Sequence, residues 1–174
     1  SIVQIGDDWY IFYHRHTNNS WYCRQGCAEK IRFAGTQIPQ VEMTSCGLNG
    51  GPLRGKGVYP SYIVCHMFTR EPQAYVGGSG HPYIMQDQCE EDKNTGYVTN
   101  ITNGATVGFR YFDCKNVTRF GIDVRGYAKG VFEVRTEWDG PVHGKIPVDF
   151  TNVWEEYEIP IQIEDGVHAF YLTF

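Results

Sequence analysis

The sequence has no surplus of basic residues and no long apolar run. Its 15 Lys and Arg residues stand against 20 Asp and Glu residues, which gives a formal net charge of -5 at pH 7. Nucleic acids are held by clustered basic side chains, so this composition disfavours nucleic acid and other anionic polymers as partners. No apolar run approaches the ~20 residues that a membrane-spanning helix needs. Neutral polymers remain open as ligands.

The sequence also lacks the marks of a secretory signal peptide. Residues 1–20 contain neither a basic start nor an apolar core, and the opening stretch SIVQIGDDWY has the pattern of a strand and a turn. This favours a processed protein or a piece excised from a longer one. The six cysteines are spread through a chain that can build its own core, so they allow disulfides without implying them.

Helical periodicity is absent as well, and the first 44 residues alternate aromatic or β-branched runs with polar turns. The pattern predicts an antiparallel meander of four strands, built from IVQI, WYIFYHRH, the two runs WYCRQ and AEKIRF, and IPQVEMT. Because side chains alternate along a strand, both faces of this small sheet carry aromatic residues. A sheet with two apolar faces must pack against something else.

Residues 45–60 are rich in glycine and proline and predict a connector with little regular structure. From residue 61 to residue 174 short strand-like runs return at regular intervals, each bounded by Gly, Pro, Asn or Asp. This spacing predicts an all-β fold, with a two-sheet β-sandwich of the jelly-roll kind following the meander. The predicted divisions are therefore 1–44, 45–60 and 61–174.

Two clusters raise the question of a metal site. His14 and His16 share one strand face, and Cys23 and Cys27 have a spacing close to that of zinc ligands. A tetrahedral site needs all four side chains to converge, and no second motif supports one, so a plain strand is the favoured interpretation. The acidic run 87–92 could gather a hard cation through oxygen ligands. A solvated acidic loop is favoured there too.

The first module resembles a known enzyme family. The stretches GDDWYIFYHRHTNNSWYCRQGCAEKIRF and IPQVEMTSCGLNGGPL are similar to the last blade and exit segment of glycoside hydrolase family 43, whose members are five-bladed β-propellers. The resemblance implies cleavage of arabinose- and xylose-containing polysaccharides by inversion, which uses two separated carboxyl groups. In the family these carboxyl groups lie in earlier blades. We therefore expect this chain not to hydrolyse glycosides on its own.

The second module is similar to carbohydrate-binding module family 6. The resemblance rests on GYVTNITNGATVGFRYFDC, FEVRTEWDGPVHGKIPV, TNVWEEYEIPI and DGVHAFYLTF. It implies a site at the loop end of the sandwich, where two aromatic side chains grip a sugar ring. Tyr97 matches the first aromatic residue and Trp154 matches the second. Asn152 beside Trp154, and Trp138 at a hairpin end, are further candidates, although each of these aromatic residues could instead serve in packing.

The chain departs from the family 6 pattern in two places. The family's asparagine ligand would follow the run HAFYLTF, which ends at Phe174, so we expect an open sheet edge there and a possible homodimer through it. The family also holds a structural calcium ion with carboxylates on its first strand. Val64, Cys65 and His66 stand at that position, which places calcium there in doubt.

The sequence thus predicts a non-catalytic module that binds plant cell-wall polysaccharide, with xylan or arabinoxylan favoured, and that targets an attached glycoside hydrolase. No cofactor is required. The resemblance implies an extracellular or cell-surface place in a polysaccharide-degrading bacterium. Two alternatives stay open: a glycosidase fragment that is active only with the missing blades, and a structural buttress that binds no sugar.

Overall fold

The computed structural model describes residues 1–17, 24–73, 78–86 and 96–174. In these residues the protein is all-β, apart from two single-turn 3-10 helices at Gly47–Asn49 and Ser61–Ile63. No helix in the described part of the chain is long and apolar enough to cross a membrane. The predicted fold class, a β-sandwich preceded by a small antiparallel meander, is confirmed.

The meander has three strands, in the order β1 (Ile2–Ile5), β2 (Asp8–His16) and β3 (Arg24–Ile31). The fourth predicted strand, in residues 38–44, does not form. Pro39 cannot donate to a ladder, and the end of this segment turns toward other partners. The backbone N–H of Thr44 donates to the buried carboxylate of Glu29 at 2.6 Å.

The sandwich is built from ten strands in the described residues. They are β4 (Leu53–Arg54), β5 (His66–Thr69), β6 (Tyr83–Gln86), β7 (Gly96–Thr99), β8 (Ala105–Cys114), β9 (Val117–Gly126), β10 (Gly130–Arg135), β11 (Gly144–Val148), β12 (Thr151–Ile163) and β13 (Gly166–Thr173). β4 and β11 were not predicted. β4 has two residues and lies within the segment interpreted as a connector, and β11 carries Pro147 inside an edge strand, where a proline is tolerated.

One sheet of the sandwich has six strands, and the opposite layer consists of the pairs β9–β12 and β6–β7. The large sheet runs β11-β10-β13-β8, and the far side of β8 is shared by β5 and β4. Apolar side chains from both layers form one core, with Ile146 and Val134 fully buried. β13 is paired on both sides, with β10 and β8, so the expected open edge does not lie at that strand.

The connector fastens the meander to the sandwich in the gap that β4 and β5 leave along β8. Ser45 exchanges hydrogen bonds with the backbone of Arg110, since its N–H donates to the Arg110 carbonyl and its hydroxyl accepts from the Arg110 N–H at 3.1 Å. Glu42 binds both Nη1 of Arg110, at 2.6 Å, and the hydroxyl of Tyr111, at 3.0 Å. The two modules are therefore joined by specific polar contacts as well as by the chain.

A second set of contacts comes from the meander itself. Nη2 of Arg15 donates to the carbonyl of Val64 at 2.7 Å, and its Nη1 donates to the carbonyl of Cys65 at 2.8 Å. The Gln25 amide donates to the carbonyl of Tyr62 at 2.9 Å. Burial lowers the pKa of Arg15, in keeping with a guanidinium group held between two modules.

Candidate functional site

Tyr97 and Trp154 are brought together although they lie far apart in the sequence. Tyr97 lies in β7 and Trp154 in β12, and their ring centroids are 5.5 Å apart with an interplanar angle of 69°. Trp154 is 47% exposed, while Tyr97 is partly buried. Such an edge-to-face pair is a favoured aromatic arrangement. The pair thus presents an aromatic surface to solvent at one end of the β9–β12 ladder.

A β-bulge sets the position of Trp154. Thr151 pairs with Gly126 and Glu155 pairs with Val124, so the intervening residues 152–154 lie opposite the single residue Arg125. The Thr151 hydroxyl donates to the carbonyl of Val153 at 2.8 Å and accepts from its N–H at 3.3 Å. Bulges of this kind redirect a side chain near functional sites. Here the bulge carries Trp154 to the ring of Tyr97.

Arg125 completes the group. Its guanidinium carbon lies 4.9 Å from the ring centroid of Trp154 and 5.7 Å from that of Tyr97. A cation in this position is attracted to the faces of both rings, by about 0.5–1 kcal/mol at an exposed site. The sequence analysis missed Arg125, because only the strand register reveals that it lies opposite the bulge.

The other two predicted site residues differ in their relation to this pair. Asn152 is exposed and lies in the bulge, two residues before Trp154. Trp138 belongs to another aromatic group. Its ring centroid lies 4.6 Å from that of His66, 5.7 Å from that of Tyr171 and 6.0 Å from that of Phe68. These partners lie in β5 and β13 of the six-stranded sheet. Trp138 therefore lies on a different part of the sandwich from the Tyr97–Trp154 pair.

His66 is the titratable member of the Trp138 group. Its Nε2 is buried and makes no hydrogen bond to the described residues. Burial lowers the pKa of His66, and the nearby cations Arg110 and Arg15 lower it further. A neutral imidazole is thus favoured beneath Trp138.

The candidate metal ligands do not form a site where they are described. No group of three or more His, Cys, Asp or Glu side chains converges within the described ranges. His14 and His16 are exposed and stack on one strand face with centroids 5.9 Å apart, as the alternation predicts. Cys23 and the acidic run 87–92 lie outside the described residues. At the position where the resemblance to family 6 predicts calcium carboxylates, Cys65 is buried and its thiol donates to the carbonyl of Gly108.

A separate cleft of about 330 Å³ is lined by β3, by residues of the segment 39–52 and by Tyr111. Its buried carboxylate, Glu29, is already engaged by the N–H and the hydroxyl of Thr44, both at 2.6 Å. The carboxylate of Glu42 is likewise bound to Arg110 and Tyr111. Glu29 thus serves the first module and Glu42 serves the junction, so the cleft does not compete with the aromatic pair as a candidate site.

No family model matches the chain. A curated relative, a "Xylosidase/arabinosidase" from Thermoclostridium stercorarium, is 51% identical over 181 residues, which cover 100% of this chain and 38% of the relative. The chain therefore spans less than two fifths of the length of the curated relative it matches.

Two solved structures share the fold. The family 6 module CsCBM6-3 from Clostridium stercorarium, in complex with cellobiose, matches with a TM-score of 0.57 at 17% identity and covers 72% of this chain and 88% of that one. A family 43 arabinoxylan arabinofuranohydrolase from Bacillus subtilis, in complex with cellotetraose, matches with a TM-score of 0.56 at 16% identity. That match covers 99% of this chain and 36% of the enzyme.

The fold is thus that of a family 6-like β-sandwich joined to a small β-meander. The match to the arabinofuranohydrolase covers both modules together, in one solved chain. With the full coverage of this chain by the Thermoclostridium stercorarium relative, these findings confirm the resemblance to part of a family 43 glycoside hydrolase joined to a family 6-like module.

Proposed function

We propose that this chain binds plant cell-wall polysaccharide, with xylan or arabinoxylan as the favoured ligand, through the aromatic surface of Tyr97 and Trp154. The observation that carries the proposal is the contact between these two rings, whose centroids are 5.5 Å apart, at an exposed bulge of the sandwich. Two similar proteins, a xylosidase/arabinosidase and an arabinoxylan arabinofuranohydrolase, support this ligand class.

The binding chemistry is stacking with a few polar contacts. The apolar face of a pyranose ring packs on an aromatic ring, and polar groups at the rim orient it through its hydroxyls. Asn152 places an amide at the bulge, and the guanidinium group of Arg125 lies beside both rings. Tyr97 and Trp154 touch each other, so the sugar stacks on their exposed surface rather than between them.

Trp138 is proposed as a separate and smaller contact. It is 40% exposed and lies on the six-stranded sheet, so it would meet a long polymer at a second place. It would leave the affinity for a short oligosaccharide at Tyr97 and Trp154 unchanged.

The biological effect follows from tethering. A module that holds polysaccharide raises the local substrate concentration for a hydrolase in the same polypeptide, without new chemistry at the binding site. We propose that this chain does not cleave glycosides by itself, that it needs no cofactor, and that it acts outside the cell or on the cell surface of a polysaccharide-degrading bacterium. The homodimer through an exposed strand edge, which the sequence predicted, stays a prediction.

Affinity electrophoresis tests the proposal. The chain is run in gels with and without soluble xylan, arabinoxylan, mixed-linkage glucan and pectin, beside a Trp154→Ala variant. We expect xylan or arabinoxylan to retard the wild-type chain and to leave the variant unretarded. Equal mobility of the wild-type chain in all gels would overturn the proposal.

The contacts at the junction favour a second candidate function, a structural buttress that binds no sugar. Arg15, Ser45 and Glu42 tie the meander to the sandwich through several hydrogen bonds. A pure buttress predicts that replacing Tyr97 or Trp154 by Ala changes only stability. The same gels decide between the two functions, because a buttress is not retarded by any polymer.

A further inference from the structure

A second aromatic pair lies at the same end of the β9–β12 ladder and has no role in the site described above. Tyr127 is 90% exposed and Phe150 is 52% exposed. Their ring centroids are 5.2 Å apart with an interplanar angle of 25°, so the rings are stacked. Large aromatic side chains with this exposure need an explanation.

The strand register places this pair beside Tyr97 and Trp154. Thr151 pairs with Gly126, and Tyr127 and Phe150 are the next residues beyond that pair. Tyr127 directly follows Gly126, the last residue of β9, so it lies two residues beyond Arg125 along the chain. The Cα atoms of Arg125 and Tyr127 are therefore at most about 7 Å apart. Because Arg125 packs against both Trp154 and Tyr97, the second aromatic pair begins within two residues of the first site.

The segment between Phe150 and Trp154 carries a further exposed apolar side chain. Val153 is 63% exposed and precedes Trp154 in the bulge. At the outer end, Lys129 and Asp149 form an ion pair at 2.7 Å. This bridge joins the segment after β9 to the turn before β12.

We propose that Tyr127 and Phe150 form a second stacking subsite, so that the site takes several consecutive residues of one neutral polysaccharide chain. This inference rests on the proposed function of Tyr97 and Trp154. A protein partner is disfavoured by size, because two aromatic side chains bury about 300–500 Å², whereas a stable protein interface needs about 800 Å² from each partner. A ring face open to solvent is what a pyranose unit requires.

The subsite predicts an affinity that grows with ligand length. A disaccharide stacked on Trp154 does not need Tyr127, whereas a hexasaccharide is long enough to reach from Trp154 to the Tyr127–Phe150 pair. Replacing Tyr127 should therefore weaken the binding of long ligands and leave the binding of short ligands nearly unchanged.

Titration calorimetry tests this with cellobiose, cellohexaose, xylobiose and xylohexaose against the whole chain. The proteins are wild type, Tyr127→Ala, Phe150→Ala, Trp154→Ala and a control, Phe33→Ala, which removes a 47% exposed ring of the meander. For the series that wild type binds, we expect Tyr127→Ala and Phe150→Ala to weaken the hexasaccharide about tenfold. The disaccharide should change less than twofold, and Phe33→Ala should change neither.

Two failures are distinguishable. If Trp154→Ala abolishes binding while Tyr127→Ala and Phe150→Ala keep the wild-type hexasaccharide affinity, the second subsite is wrong and the proposed function stands. If wild type binds no hexasaccharide, or Trp154→Ala binds as wild type does, the proposed function is wrong and the subsite, which rests on it, is wrong too.

Discussion

The guanidinium group of Arg15 in the meander donates a hydrogen bond to the carbonyl oxygen of Val64 in the sandwich, with a distance of 2.7 Å. The same group donates to the carbonyl of Cys65 at 2.8 Å. Val64 and Cys65 are both buried, so water does not readily replace Arg15 as their donor. We therefore expect the meander and the sandwich to unfold together.

Replacing Arg15 by Met should destabilise the whole chain by about 3–6 kcal/mol, because each of its two charge-assisted hydrogen bonds, to Val64 and Cys65, contributes about 1.5–3 kcal/mol. Urea unfolding followed by tryptophan fluorescence measures this. Arg119→Met is the control, since its exposed ion pair with Glu158 contributes at most about 1 kcal/mol. Equal losses in the two variants would contradict the account of the junction.

Thr151→Val should weaken ligand binding with little loss of stability. The substitution keeps the shape of the side chain but removes the hydroxyl that bonds to both backbone groups of Val153, so the bulge that carries Trp154 loosens. We expect a destabilisation of about 1 kcal/mol and a several-fold loss of xylohexaose affinity by titration calorimetry. The exposed Thr118→Val is the control. Unchanged affinity in Thr151→Val would show that the bulge does not position Trp154.

Trp138→Ala should lower the free energy of unfolding by about 1–3 kcal/mol, because the ring loses its contacts with His66, Phe68 and Tyr171. Urea unfolding gives the stability, and gels containing long xylan give the polymer contact. Retardation should weaken, while xylohexaose affinity stays unchanged. A loss of xylohexaose affinity would place Trp138 in the same site as Trp154.

The stability of the chain should fall as the pH is lowered from 7 to 5, in part through His66. Its pKa in the folded chain lies below the usual histidine value of about 6.5, so the unfolded state takes up the proton first. The stabilisation that comes from neutral His66 is present above pH values of about 6.5. It is lost as the pH falls toward the pKa of His66 in the folded chain. In urea titrations, the free energy of unfolding of His66→Phe should fall less between pH 7 and pH 5 than that of wild type. A fall of the same size in both proteins would exclude His66 as a source.

The aromatic pair could be predicted because the resemblance to family 6 identified Tyr97 and Trp154 at strand ends. The contact between the two rings could not be predicted, because it depends on a β-bulge that the alternation of apolar and polar residues does not reveal. Arg125, Tyr127 and Phe150 were missed for the same reason, since their neighbours are set by the register between β9 and β12. The only sequence signal was that Tyr127 and Phe150 are aromatic residues beside turns, and Arg125 had none.

The strand pattern predicted most strands of the sandwich. It was wrong where contacts with distant residues decide the backbone conformation. Residues 38–44 alternate as a strand does, but the backbone beyond Pro39 bonds to Glu29, and Ser45 bonds to Arg110. β11 was missed because Pro147 argues against a strand unless that strand lies at an edge. The interior position of β13 could not be predicted either, since strand order depends on non-local pairing.

The most direct test of the central claim is titration calorimetry of xylohexaose into wild type, Tyr97→Ala and Trp154→Ala, with Phe33→Ala as an exposed aromatic control from the meander. Circular dichroism confirms that each variant is folded. We predict that wild type binds, that the first two variants each lose at least tenfold in affinity, about 1.4 kcal/mol, and that the control binds as wild type does. Xylohexaose binding that survives unchanged in both Tyr97→Ala and Trp154→Ala would contradict the claim that this aromatic pair is the binding site.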